Sequence, residues 1–191
     1  MRHQADSGEA TVPTRPSDII AFWSEAGPSR WFTKDEGFDR HFRETFLDAH
    51  EAACRGELDH WQRTPGGALA LILLLDQFPR NAFRGTARVY ASDARALEVA
   101  KAALAAGHDR HIEADLRLFL YLPFNHSESL EDQERCVDLY RALGDQENLG
   151  FAIDHHDIVK RFGRFPHRNP ILGRRTTEEE QRFLDEGGFA G

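Results

Sequence analysis

Apolar positions along the chain recur with the spacing of helices. Phe38, Phe42 and Phe46 stand at i, i+4 and i+8, which gives one buried face to a helix over residues 35–54, with Gly56 as its stop. Over residues 67–77, Leu69, Leu71, Ile72, Leu73, Leu74 and Leu75 cover the whole circumference, as in a central, fully enclosed helix. Residues 92–106 are alanine-rich, with Ser92 as candidate N-cap and Gly107 beyond the end. Residues 113–122 are again strongly apolar through Leu116, Phe119, Leu120 and Tyr121. Ser129 with Asp132 opens a helix ending at Leu143-Gly144, and a helix over 145–162 runs into Gly163. Thr177 with Glu180 forms a capping box for a last helix that Gly187-Gly188 ends. Nothing alternates with period two and no Asn-Gly hairpin signal occurs. The pattern predicts an all-α fold of about seven to nine helices.

Three of the four asparagines, Asn81, Asn125 and Asn169, are spaced 44 residues apart, and each closely follows a proline. A period of that size with two helices per unit predicts stacked antiparallel helix pairs, a tetratricopeptide-like α-α superhelix. Equivalent loops would then lie on one edge of the stack, about 10 Å apart. Pro and Asn mark loops in any protein, which explains their presence but not their equal spacing.

The length of 191 residues fits one domain over 16–191 behind a loose polar tail at 1–15. A net charge of −8 argues against nucleic-acid binding. The longest apolar run, residues 68–75, is far short of the ~20 residues that span a bilayer, and the N-terminus has no signal-peptide core. A cytoplasmic protein without membrane contact is expected, with Cys54 and Cys136 as free buried thiols. Oligomeric state is not legible.

Three polar clusters follow the apolar helices. The first holds Asp76, Gln77, Arg80, Asn81 and Arg84; a carboxylate extending an apolar run needs a partner, and Arg80 is the nearest. It reads equally as a clasp or as part of a site. The second is Asn125-His126-Ser127-Glu128 with Asp132 and Gln133, where His126 beside acids suits acid/base work or a helix start. In the third, residues 155–175, six basic side chains (Lys160, Arg161, Arg164, Arg168, Arg174, Arg175) face one acid, Asp157, whereas residues 113–154 carry ten acids and three basic residues. Such an island either neutralises the acidic region internally or receives an anion. Phe162 and Phe165 would hold its Arg forks in place. Adjacent His155 and His156 diverge by about 100° on a helix, and no metal-ligand spacing or cofactor fingerprint occurs, so neither metal nor cofactor is expected.

The strings Leu75-Asp-Gln-Phe-Pro-Arg-Asn-Ala-Phe-Arg-Gly85, Asn125-His-Ser-Glu128 with Asp132-Gln133, and Arg161-Phe-Gly-Arg-Phe-Pro-His-Arg-Asn169 resemble the bacterial domain-of-unknown-function 924 family. Phe22-Trp23 and Trp31-Phe32 match as well, and the likeness spans residues 17–184. It implies a tetratricopeptide-like helical fold and brings no established activity. Relatives most often carry Glu where Asn125 stands.

The residues lead to one expected site and one alternative. The site is a pocket for a small anion, a carboxylate or phosphate ester, with Arg80, Arg84, Arg161, Arg164 and Arg168 as binding forks. Asn81, Asn125 and Asn169 would orient the ligand, and Asp76, His126 and His167 would move protons in a cofactor-independent hydrolase or lyase. The alternative is a peptide- or protein-binding scaffold without catalysis, presenting an exposed helix face.

Overall fold

The computed structural model describes residues 13–191. The tail expected at 1–15 lies outside the described residues except for its last three, of which Arg15 forms the N-cap of the first helix. All regular structure among the described residues is helical, and no helix there is long and apolar enough to cross a membrane.

The helices are α1 (Pro16–Ala26), α2 (Pro28–Trp31), α3 (Glu36–Arg55), α4 (Pro65–Ile72), α5 (Phe78–Ala82), α6 (Asp93–Ala105), α7 (Ala114–Asn125), α8 (Leu130–Leu143), α9 (Gln146–Phe162) and α10 (Glu178–Asp185). The caps follow local chemistry. Asp35 accepts from the amides of Gly37 and Phe38 ahead of α3, and Gly56 takes the left-handed conformation, φ 82°, that ends it. Thr177 and Glu180 form the expected capping box of α10. Ser129 makes no side-chain cap on α8; instead Ser127 Oγ donates to Asp132 at 2.8 Å and accepts from the Ser129 amide.

The core forms around α4, which packs on α1, α6 and α7. Every residue from Ala68 to Leu75 is buried, and each enclosed Leu or Ile contributes about 1.5–3 kcal/mol. Around it, Phe22, Trp23, Trp31, Phe38, Phe42 and Phe119 stack and abut edge-on, and Trp31 Nε1 donates to the Trp23 carbonyl at 2.7 Å. Successive helices then pack in order, α6 on α7, α7 on α8 and α8 on α9. A smaller apolar cluster of Ile158, Val159 and Phe165 anchors the chain beyond α9.

Two expectations are corrected here. Both cysteines are free, but only Cys136 is buried; Cys54 lies exposed near the end of α3. Asn81, Asn125 and Asn169 do not sit in open loops either. Asn81 lies inside α5, Asn125 is the last residue of α7, and Asn169 has helical backbone after a 3₁₀ turn. Of the prolines before them, Pro166 stands in a first turn, where no amide partner is missed, and Pro79 closely follows a π-helical turn. The third, Pro123, is tolerated inside α7, so that helix runs past the expected stop at 122.

Candidate functional site

The site starts from Pro79. It has no N–H to donate, and its ring crowds the carbonyl four residues back, that of Leu75. The chain absorbs this with a π-helical turn over Leu73–Gln77, between α4 and α5. Carbonyls in this turn are taken by groups outside the regular helix ladder. Leu74 accepts from His50 Nδ1 at 2.8 Å, Leu75 from Ser92 Oγ at 2.6 Å, and Asp76 from Arg80 Nη1 at 2.7 Å. Ser92 therefore serves this turn and makes no side-chain cap on α6, contrary to the sequence expectation.

At the end of the π turn the wholly buried Asp76 carboxylate collects three donors. His126 Nδ1 lies 2.7 Å from Oδ1, Gln77 Nε2 donates to Oδ2, and Arg80 Nη1 stands at 3.3 Å. Burial works against its charge, but Arg80 and then His126 outweigh it and hold the carboxyl below the usual range. Burial and Arg80 together push the His126 pKa down in spite of Asp76. At neutral pH the pair is thus a carboxylate and a neutral imidazole. Because the carboxylate can only accept, Nδ1 carries the ring proton and Nε2 is the free base.

Two further carboxylates fix the arginines. Asp93, in the first turn of α6, receives both Nη atoms of Arg80 at 2.9 and 3.1 Å. Arg168 Nη1 is farther from Asp93, at 3.5 Å, while its Nη2 donates to the His126 carbonyl at 3.0 Å. The Arg168 guanidinium also lies over the rings of Tyr90 and Phe165, at 4.5 and 4.6 Å. Asp39 of α3 receives Asn81 Nδ2 at 2.7 Å and Arg84 Nε at 2.6 Å.

These groups border a cavity of about 420 Å³. Arg80, Arg84, Arg168, His126, His155 and His167 line it, and among the described residues no Asp or Glu side chain does. The balancing carboxylates stand behind the arginines. Burial, chiefly, pulls His155 and His167 down to about 4, so both are neutral polar groups at pH 7.

Of the residues picked out from sequence, Arg80, Asn81, Arg84, His126, His167 and Arg168 line the cavity, and Asp76 lies directly behind His126. Asn125, Arg161, Arg164 and Asn169 do not line it. Arg164 is engaged with Glu180 at 2.6 and 2.9 Å and with the Arg175 carbonyl at 2.8 Å. Arg161 pairs with Glu179 at 3.0 Å, and Asn125 and Asn169 are buried. Arg174 likewise grips Glu128 through two bonds at 2.7 and 2.9 Å. The basic island is thus divided: Arg161, Arg164 and Arg174 neutralise acids, and of its six basic side chains Arg168 alone lines the cavity. Sequence reasoning missed Asp39, Tyr90 and Asp93, and weighed His155 as a metal ligand, not as a group lining the cavity. Only Asp39 gave a signal, as an acid beside the apolar stripe of α3.

Among the described residues no group of three or more His, Cys, Asp and Glu side chains is arranged to hold a metal ion. No curated protein matches the chain. A solved structure of a protein of unknown function, ATU0120 from Agrobacterium tumefaciens, is similar at 54% identity and a TM-score of 0.87, covering 90% of this chain and 97% of that one. The family model described as bacterial protein of unknown function (DUF924) matches residues 19–188. With the match running through the polar helix exits that build the cavity, the chain belongs to the DUF924 family.

Proposed function

We propose that the cavity binds a small organic anion, a carboxylate or phosphate ester, and that His126 acts there as a base. One observation carries this reading. In a protein of net charge −8, the cavity is lined by three arginines and three histidines and by no acidic side chain of the described residues. Asp76, Asp93 and Asp39 hold the arginines from behind, so the forks are fixed before a ligand arrives.

Arg168 is the least satisfied of the three, with one carboxylate at 3.5 Å and a buried Nε that has no partner among the described residues. Arg84, partly open to solvent, commits Nε and Nη2 to Asp39 at 2.6 and 3.3 Å and has Nη1 left for a ligand. Arg80 is taken up by Asp76 and Asp93, so it sets the wall rather than serving as a fork. His126, with Nδ1 locked on Asp76, presents Nε2 as proton acceptor, which suits cofactor-independent hydrolysis or a lyase-type proton abstraction. Asp76 sets the tautomer and steadies the charge that forms on the ring.

Calorimetric titration of the chain with phosphate and with benzoate at pH 7 and low salt tests the reading. Saturable binding is expected, weakened at least tenfold in Arg168→Met and in the more exposed Arg84→Met. Absence of binding to either probe at millimolar concentration would overturn it.

A further inference from the structure

The cavity has a second chemical character that anion binding leaves unused. Large apolar side chains exposed singly on a surface need no explanation, but convergence on one opening does. Phe32 is 63% exposed, Ile171 36% and Phe189 39%, and all three line the charged cavity. They come from three separate segments: the end of α2, the chain after the Pro166–Arg168 turn, and the chain after α10. Local sequence therefore does not account for their meeting. Phe189 lies against His155 and His167, with ring centroids at 4.5 and 5.1 Å, which places its ring beside the polar lining.

We infer that the ligand is an amphipathic anion, whose charged head meets Arg84 and Arg168 and whose apolar body lies against Phe32, Ile171 and Phe189. The inference rests on the anion reading and adds the class of molecule. An inorganic anion or a short acid such as acetate would leave the three apolar side chains in water. A cavity of about 420 Å³ has room for more than a head group, within the roughly 300–1,000 Å³ common for small-molecule sites. Phe32, Ile171 and Phe189 act here as specificity-determining residues, and the arginines select charge.

The test is a calorimetric series at fixed head group: acetate, butyrate and hexanoate in one arm, and inorganic phosphate, butyl phosphate and hexyl phosphate in the other. Affinity is expected to rise about fourfold per methylene buried, and the steeper arm identifies the head. Phe32→Ser and Ile171→Ser, at exposed positions, should each flatten that rise, with unchanged helicity by circular dichroism as the check on folding. Binding of short and long members with equal affinity would overturn the amphipathic ligand and leave the anion site standing. Failure of every member to bind would overturn both.

Discussion

Asp76 and His126 are 50 positions apart in the chain and are joined by a 2.7 Å hydrogen bond at the cavity wall. The contact links the π turn to the C-terminal end of α7, so charge at the first is felt as basicity at the second.

Asp76→Asn removes the buried carboxylate while keeping its shape. Arg80 and His126 lose a shared partner, and breaking a buried pair costs about 3–5 kcal/mol, which for a chain of this size lowers Tm by about 10 °C. Because Asp76 raises the His126 pKa against burial and Arg80, its loss should move the NMR titration of that ring still lower. A His126 midpoint that rises or stays put would contradict the assignment.

The histidines set a stability window of their own. Burial holds His155 and His167 at about 4 and His126 below its ordinary value, so the unfolded chain binds more protons than the folded one between about pH 6.5 and 4. Stability is full above that window and declines as pH falls through it. The carboxylates act later: Glu180, held at about 2 by Arg164 above all, loses its contribution as pH falls from about 5 towards 2. Urea melts at pH 7, 6 and 5.5 should show a progressive fall in midpoint above the range where carboxylates titrate; a flat profile would count against neutral histidines.

Ser92→Ala isolates the π turn. It strips the Leu75 carbonyl of its 2.6 Å donor in a buried setting, at a cost of about 1–3 kcal/mol by denaturant unfolding. An ordinary N-cap serine would cost about 1 kcal/mol through α6 alone. Amide exchange separates the two, since loosening is expected at Leu73–Gln77 rather than at the start of α6.

Arg164→Ala addresses the basic island. The side chain ties the segment after α9 to α10 through Glu180 and the Arg175 carbonyl. Several degrees of Tm should be lost, with phosphate or benzoate affinity unchanged. Loss of affinity at full stability would instead return Arg164 to the binding set.

Legibility from sequence followed the range of the forces involved. The stripe of Phe38, Phe42 and Phe46, the enclosed run of α4 and the Thr177–Glu180 capping box are local patterns, and each appears where the spacing placed it. The continuous helix expected over 67–77 is instead α4 followed by the π turn. A π turn is stable only if its carbonyls find partners, and these come from His50 and Ser92, 24 and 17 positions away. The cavity was half visible, because polar residues beyond buried helices announce themselves while the acids that absorb them do not. Nothing near Arg164 or Arg174 in the sequence indicates that Glu180 and Glu128 claim them, 16 and 46 positions away.

The π turn also works as a phase shift. One residue more than a regular α-helix needs advances everything after it by about 100° around the axis. Arg80, Asn81 and Arg84 owe their angular address, facing Asp93 and Asp39, to that offset. Deleting one residue between Leu73 and Gln77 would leave composition and hydrophobicity almost untouched, yet it would swing the three away from their carboxylates together.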